Sequence, residues 1–292
     1  MKALKAKKQI LRSQISNARS MNNERQLERA LQRYFKALEK QIQRNLKFYW
    51  QDNLVVGQVD LITEPILNSH DVYYEILEKY ISREYALGTN EAERLIRQLN
   101  RNRVANKSII PKPRALLKKT IELFGIHATA EQDLLTRVFI ASERTLARVN
   151  ESINLIITDG YRSGKGINFV ANQLTKRFDQ LTSWESKRIA RTEIHNAHNR
   201  ATMDTYTDYG VEYTMWIAAN DDRVRESHEE INGEIIRLGD TYSNGLKYPG
   251  DTDGPIEEWI NCRCSNAPYV IPYGYAAPPQ QQFTENDLIK IH

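Results

Sequence analysis

Residues 216–264 read WIAANDDRVRESHEEINGEIIRLGDTYSNGLKYPGDTDGPIEEWINCRC, and this stretch decides the fold of the C-terminal part of the chain. It places acidic, basic, imidazole and thiol groups between turns that are rich in glycine and proline. Residues 211–216 alternate in polarity, and residues 234–238 and 267–271 also have strand-like patterns. We therefore predict a small α+β domain over residues 207–272.

The chain contains two cysteines, Cys262 and Cys264. Two thiols this close in sequence cannot easily reach the Cα separation of a disulfide, so they are a metal-ligand pair or a structural pair. In one interpretation Cys262, Cys264 and His228 bind a structural zinc ion, with Asp221 or a neighbouring acid as the fourth ligand. Thiolate and imidazole are the ligands that zinc prefers.

Two other interpretations of the same residues stay open. In one, which we prefer, the groups form a hydrogen-bonded core without a metal, so that no cofactor is needed. In the other, His228 is a general base or Cys262 a nucleophile, although no recognised catalytic spacing is present. The metal-free core would pair arginines with acids around a turn at Asn261; its members are Arg223, Arg225, Arg263, Asp221, Asp222 and Glu226.

The order of these residues resembles the C-terminal signature of the phage head morphogenesis family, the minor capsid proteins like protein F of phage Mu. An Ala-Arg-Thr-Glu helix upstream of the stretch adds to the resemblance, which covers about residues 130 to 270. Its signature positions here are Arg191, Glu193, Trp216, Asp221, Arg223, Arg225, His228, Gly233, Asn261, Cys262, Arg263 and Cys264.

This resemblance implies a minor capsid protein of a tailed bacteriophage, present in few copies and without enzymatic activity. It implies a portal protein as partner, with scaffold or major capsid protein as further candidates, and a role in head assembly and in DNA packaging or ejection. The expected location is the interior of the procapsid and virion, and the host cytoplasm during assembly. The alternative is a metal-dependent nuclease or hydrolase, or a toxin-like effector carried in the virion. The short remainder after Cys264 favours the structural role, because it leaves no room for a separate catalytic domain.

The first half of the chain is predicted to be helical and basic. Residues 1–50 contain 13 Lys and Arg against 3 Asp and Glu, whereas residues 217–292 contain 6 against 13. Basic side chains accompany an apolar stripe of helical period from Leu27 to Tyr49. They predict non-specific contact with the backbone of double-stranded DNA; the candidates are Arg25, Arg29, Arg33, Lys36, Lys40 and Arg44.

The chain divides by sequence into a basic helical arm (1–110), a helical domain (111–206), the α+β domain (207–272) and an extended tail (273–292). We expect the tail to lack the apolar residues needed to fold alone. No apolar run is long enough to cross a membrane, and none follows the positively charged N-terminus. The fold class is thus mainly α in the N-terminal and middle regions, with a small α+β C-terminal domain.

Two local patterns in the helical regions have more than one interpretation. A helix that begins before Tyr73 is predicted to end near Gly88, because glycine interrupts helices, and another to start near Asn90. His195 and His198 lie three residues apart on one predicted helix face, a spacing that can hold a metal. Histidine pairs on polar helix surfaces are more often metal-free, and we expect no metal there.

Overall fold

A computed structural model describes residues 18–50, 57–104, 126–219 and 221–291 of the 292-residue chain. The helical regions consist of α1 (Ala18–Tyr49), α2 (Gly57–Leu67), α3 (His70–Val104), α4 (Ile126–Arg162), α5 (Ile167–Gln180), a π-helix (Leu181–Glu185) and α6 (Ser186–Asp208). The C-terminal region consists of β1 (Tyr213–Ile217), α7 (Glu226–Glu230), β2 (Ile235–Arg237), α8 (Ile256–Trp259), β3 (Ser265–Tyr269), β4 (Tyr275–Ala276), a 3-10 turn (Glu285–Asp287) and β5 (Ile289–Lys290). The predicted fold class is confirmed.

The chain forms two compact units that are not contiguous in sequence. One unit consists of the described residues within Met1–Asn22, Ser82–Glu131 and Arg191–His292, and the other of those within Asn23–Ile81 and Gln132–Ala190. This division differs from the sequence-based boundaries at 206 and 272, because α3 and α6 each supply residues to both units. The boundary drawn at 110 lies outside the described residues. None of the described helices combines the length and the apolar character that a membrane span requires.

The helix α1 buries the apolar stripe that its periodicity predicts. Seven residues of this stripe are at most 8% exposed: Leu27, Leu31, Tyr34, Phe35, Leu38, Ile42 and Leu46. The Tyr34 ring packs 5.1 Å from the ring of Tyr73 in α3, and its hydroxyl lies 2.6 Å from the hydroxyl of Ser69. Residues 1–17, where the sequence predicts an extension of this helix, lie outside the described residues.

The C-terminal sheet has the strand order β2-β1-β3, with both pairs antiparallel. Met215 at the centre of β1 pairs with Ile235 on one side and Ala267 on the other. Because successive side chains of a strand point to opposite faces, β1 contributes to two cores. Tyr213, Met215 and Ile217 pack in one core. Trp216 packs in the other, together with Cys262 and Cys264.

The residues after 272 are part of the folded unit, and the expectation of an extended tail is therefore corrected. Phe283 is 4% exposed in the core beside Tyr213, and its backbone N–H and C=O both bond to Ile235. β4 and β5 pair with each other in an antiparallel hairpin. One buried aromatic ring and a short run of main-chain bonds fix a segment whose overall composition is too polar to predict this.

The helix α3 continues through Gly88, which corrects the predicted break between residues 88 and 90. A Cβ at Gly88 would lie 2.5 Å from the carbonyl oxygen of His198 and 3.0 Å from the Cβ of Ala201, both in α6. The glycine therefore permits close approach of two helix backbones, and it does not end the helix.

We predict that Gly88→Ala lowers the free energy of unfolding by about 1–3 kcal/mol, because the added methyl group meets backbone atoms that cannot move aside. Helix propensity alone would give the opposite sign, since alanine favours a helix over glycine by about 1 kcal/mol. Thermal unfolding of the purified chain measures the difference. Asn90→Ala, at an exposed position of the same helix, is the matched control and should be neutral or stabilising. An unchanged or raised Tm for Gly88→Ala would contradict the packing explanation.

Candidate functional site

The turn before the two cysteines is held in place by α6. Asn261 has φ 55, a left-handed conformation that asparagine tolerates better than most residues. Its backbone N–H donates to the hydroxyl of Thr192, and its side-chain oxygen accepts from Arg191 at 3.4 Å. Arg225 donates to the carbonyl of Ile260 at 2.5 Å. Signature residues far apart in sequence thus fix the direction in which Cys262 and Cys264 leave the turn.

The carbonyl of Cys264 receives further bonds from α6. Nδ2 of Asn199 donates to it at 3.1 Å and also to the carbonyl of Pro249 at 2.9 Å. The ring of His195 also lies within hydrogen-bonding distance of the Cys264 carbonyl, through Nε2. Burial lowers the pKa of His195, although the bond to Cys264 opposes this effect. The imidazole is therefore a neutral donor that helps to anchor the loop.

The side chains of His228, Cys262 and Cys264 converge in the interior. Nδ1 of His228 lies 3.3 Å from the Cys264 sulfur and 3.7 Å from the Cys262 sulfur. The three residues are 1%, 1% and 2% exposed in the order His228, Cys264, Cys262. Their ligand atoms all lie within 4.8 Å of one another. Among the described residues this is the one group of three with the geometry to hold a metal ion.

The opposite ring nitrogen of His228 bonds to a carboxylate. Nε2 of His228 lies 2.8 Å from Oε2 of Glu258, which follows the start of α8. The hydroxyl of Ser227 donates to both oxygens of the same carboxylate, at 3.0 and 3.2 Å. Because the Glu258 carboxylate accepts a hydrogen bond from Nε2–H, the other ring nitrogen, Nδ1, faces the sulfur atoms.

The pKa values of the two thiols are shifted in opposite directions. The hydrogen bond from Cys262 lowers the pKa of Cys264 to about 4, aided by His228 and by the backbone N–H of Ala219 against the opposing effect of burial. The same bond and burial raise the pKa of Cys262 well above its usual value. The Cys264 backbone N–H also donates to the Cys262 sulfur at 3.4 Å. Each sulfur atom thus accepts a hydrogen bond from one backbone N–H, of Cys264 for Cys262 and of Ala219 for Cys264.

Apolar and aromatic side chains enclose this group. The Trp216 ring lies 5.1 Å from the His228 ring in an edge-to-face arrangement, and at the same distance from the Tyr242 ring. Ile231, Ile236 and Leu246 complete the same core. Water is consequently kept away from the imidazole and the sulfur atoms.

Asp221 lies outside the group of three ligands. Its carboxylate accepts from both terminal nitrogens of Arg263, and it also accepts from the Arg223 backbone N–H at 3.0 Å. Desolvation raises the pKa of Asp221, but the bonds from Arg223 and Arg263 and their positive charges together outweigh it and lower the pKa. The predicted arginine–acid pairing around the cysteine turn is present here, between Asp221 and Arg263 and between Asp221 and Arg223.

The glycine of the signature closes a turn beside β1. Gly233 has φ 93, where a side chain would be strained, and its N–H donates to the Trp216 carbonyl at 2.9 Å. The preceding Asn232 accepts from the Ala218 backbone N–H at 3.2 Å. This turn places α7, and with it His228, against Trp216.

His198 pairs with acids and does not join a metal-binding group. Nδ1 lies 2.9 Å from Oε1 of Glu84, a residue with no exposed surface, and Nε2 lies 3.9 Å from Glu91. His195 bonds elsewhere, as described above, so the two histidines do not converge on one point within the described residues.

The six predicted phosphate-contacting residues lie on the exposed side of α1. Arg25, Arg29, Arg33, Lys36, Lys40 and Arg44 are all exposed, and none of them forms an ion pair with another described residue. Their steps of three and four residues place them along one helix face, over about 28 Å at 1.5 Å per residue. We call these six residues the basic stripe.

The hydrogen-bonded series Cys264–His228–Glu258 has the order nucleophile, base and orienting acid that hydrolases use. Its burial argues against that use, because a substrate would have to reach a sulfur atom that is 1% exposed. Sequence reasoning missed Glu258, Thr192 and Asn199, which support the cysteine loop. No local spacing marks them, although Thr192 lies inside the Ala-Arg-Thr-Glu segment.

Comparison with known proteins matches residues 151–267 to the family model described as Phage Mu protein F like protein. Minor head protein GP7 of Bacillus phage SPP1 is 28% identical over 129 residues, 42% of this chain and 42% of that protein. An uncharacterized protein of Haemophilus influenzae is 34% identical over 95 residues, 32% of this chain and 20% of that protein. No solved structure shows a significant match.

These matches confirm the resemblance to the phage head morphogenesis family over residues 151–267. The matched segment contains all twelve signature positions, from Arg191 to Cys264. The similar region spans less than half the length of either relative. In this structure the signature residues form the cysteine loop, the turn at Gly233 and the group of His228 with the two cysteines.

Glu193 is another signature residue, and we predict that its carboxyl makes the free energy of unfolding depend on pH. The residue keeps some exposed surface, but desolvation of its carboxyl raises the pKa from 4.5 to about 7. The folded chain then binds this proton more tightly than the unfolded chain. This contribution to stability is complete below pH 4.5 and is lost as the pH rises through about 7.

We expect Glu193→Gln to remove this decline, with a gain at pH 8 of up to about 3 kcal/mol over the wild type. Thermal unfolding at several values between pH 5 and pH 8 measures it. Glu230→Gln, at an exposed site in α7, should keep the wild-type slope. Parallel pH profiles for wild type and Glu193→Gln would show that the carboxyl is not buried as described.

Proposed function

We propose that this chain is a minor head protein of a tailed bacteriophage, located in the procapsid and virion, with a structural and not a catalytic role. The match of residues 151–267 to the Phage Mu protein F like family carries this proposal. Similarity to Minor head protein GP7 of phage SPP1 over 42% of the chain supports it.

The internal location of the cysteine group supports a non-catalytic role. The sulfur and imidazole atoms lie behind Trp216, Tyr242 and the apolar core. Arg191 donates to the side chain of Asn261, Arg225 to the Ile260 carbonyl and Arg263 to Asp221, and these bonds fix loops. Residues used in this way stabilise one loop conformation and are not free to bind a substrate.

We further propose that the chain contacts the portal protein through an aromatic surface, which we call the aromatic patch: His70, Tyr74 and Phe139. The ring of Phe139 lies 5.0 Å from His70 and 6.4 Å from Tyr74, and Phe139 is 45% exposed. The apolar stripe of α1 is buried within its own unit and is not accessible to a partner. Aromatic residues at a surface are enriched in protein interfaces.

The portal proposal predicts that Tyr74→Ser together with Phe139→Ser reduces co-purification of the co-expressed portal protein at least several-fold. Pull-down from cells that express both proteins measures the yield. Tyr273→Ser with Tyr275→Ser removes two exposed aromatic rings of the other unit and should leave the yield unchanged. Equal yields for the two double variants would reject the aromatic patch as the contact.

A test of the head-protein role itself does not depend on which surface meets the portal. Mass spectrometry of purified procapsids and virions should detect the chain in both, in few copies relative to the major capsid protein. Particles assembled with the intact gene that contain none of the chain would reject the role.

We also propose that the basic stripe binds the phosphate backbone of packaged DNA. Its charges are exposed and lack acidic partners among the described residues, as a surface for a polyanion requires. No base-reading motif accompanies it, so the contact should be independent of sequence and governed by counterion release.

This predicts that Arg33→Gln, Lys36→Gln and Lys40→Gln together weaken binding to double-stranded DNA. The slope of log K against log salt should fall by about 0.9 for each phosphate that the variant no longer neutralises, or by up to about 2.7 in total. Fluorescence anisotropy at several salt concentrations measures the slope. Lys176→Gln, Lys187→Gln and Lys290→Gln remove the same charge from exposed sites elsewhere and should keep the wild-type slope. Affinity that does not change with salt would exclude backbone contact.

A further inference from the structure

We propose that His228, Cys262 and Cys264 bind one zinc ion, through Nδ1 of the histidine and both sulfur atoms. The sequence alone leaves this interpretation beside a metal-free core and a catalytic site. Three features favour zinc: the spacing of the ligand atoms, the orientation of the imidazole, and the net charge of the occupied site.

The spacing of the ligand atoms is that of a tetrahedral zinc site. With Zn–N of about 2.0–2.1 Å and Zn–S of about 2.3 Å, tetrahedral angles place the nitrogen about 3.5 Å from each sulfur. The observed separations from His228 Nδ1 are 3.3 Å to Cys264 and 3.7 Å to Cys262. The two values lie on either side of the expected one, so little movement is needed to admit the ion.

The imidazole is oriented as a metal ligand usually is. A metal-bound histidine commonly donates its other ring N–H to a carboxylate, which fixes both the tautomer and the ring plane. Glu258 accepts from Nε2 at 2.8 Å, and Ser227 holds that carboxylate. A single lone pair at Nδ1 can accept a proton from one thiol, whereas a metal ion engages both sulfur atoms at once.

The charge of the site suits its burial. A zinc ion with two thiolates and a neutral imidazole has no net charge, and an apolar enclosure such as that around Trp216 and Leu246 tolerates this. Binding displaces the thiol protons to solvent. Backbone N–H groups of Cys264 and Ala219 already point at the two sulfur atoms and would stabilise the thiolates.

Asp221, the fourth ligand expected from sequence, is held by Arg263 and Arg223. The ion would join α7 to the cysteine loop, across 34 and 36 residues of sequence. Its role is then to hold the two segments together, because the ligands bind only when both have reached their folded positions.

The test uses the full chain, purified without chelator. Elemental analysis should find about one zinc per chain. The zinc-free chain should bind Co²⁺ with the intense visible bands of tetrahedral cobalt and the near-ultraviolet band of cobalt–thiolate bonds. His228→Asn, Cys262→Ser and Cys264→Ser should each lose the near-stoichiometric metal. His70→Asn is the matched histidine control, and it and Asp221→Asn should retain it.

Two further experiments keep the test decisive if a ligand variant fails to fold. One changes Glu258, which bonds to His228, and the other measures thiol reactivity in the wild type. Glu258→Gln should weaken metal affinity about 10–100-fold while the chain stays folded. In the wild type, both thiols should resist a thiol reagent until a strong chelator is added, and then react. Absence of zinc and of cobalt binding in the folded chain, or thiols that react fully before any chelator is added, would overturn the proposal. Metal content lost in Asp221→Asn would show that the Asp221 carboxylate is a ligand and would overturn the three-residue ligand set.

Discussion

The attachment of the cysteine loop to α6 is the constraint on which the C-terminal unit depends. Thr192, Arg191 and Asn199 bond to Asn261 and to the Cys264 carbonyl, so the helix determines where both sulfur atoms lie. Thr192 and Asn199 are 4% and 1% exposed, and buried polar groups of this kind are costly unless they are paired. The helical part of the signature and its cysteine part therefore pack together and fix one loop, although Thr192 and Asn261 are 69 residues apart in sequence.

The β-sheet separates the core that contains the cysteine group from a second core on its opposite face. Trp216 faces the cysteine group, while Met215 beside it faces Ile235 and Phe283 across the opposite side of the sheet. A three-stranded sheet with one apolar face would leave the other open to water, and here both faces are covered. The cysteine group closes one face, and the segment around Phe283 closes the other. This explains how so short a sheet can be stable.

The sequence predicts the elements with regular periods and misses those fixed by single contacts. Alternation placed all three strands of the sheet, and the stripe from Leu27 to Leu46 matches the buried face of α1. Gly88 was misinterpreted because a glycine that breaks a helix and one that admits a neighbouring backbone have the same local pattern. In the candidate site, the convergence of His228 with the cysteines was foreseen. Glu258 was not, because its role depends on a turn that brings α8 to α7.

The pairing of Phe283 with Ile235 has a practical consequence for defining the folding unit. Similarity to the family model ends at residue 267, yet the ring at 283 fills the core and its backbone protects the edge of β2. A fragment cut to the boundaries of similarity would display an unpaired strand edge and an empty aromatic pocket, which together favour aggregation. Recombinant versions of this region should extend at least through β5, and the extent of family similarity is a poor guide to where such a piece can be trimmed.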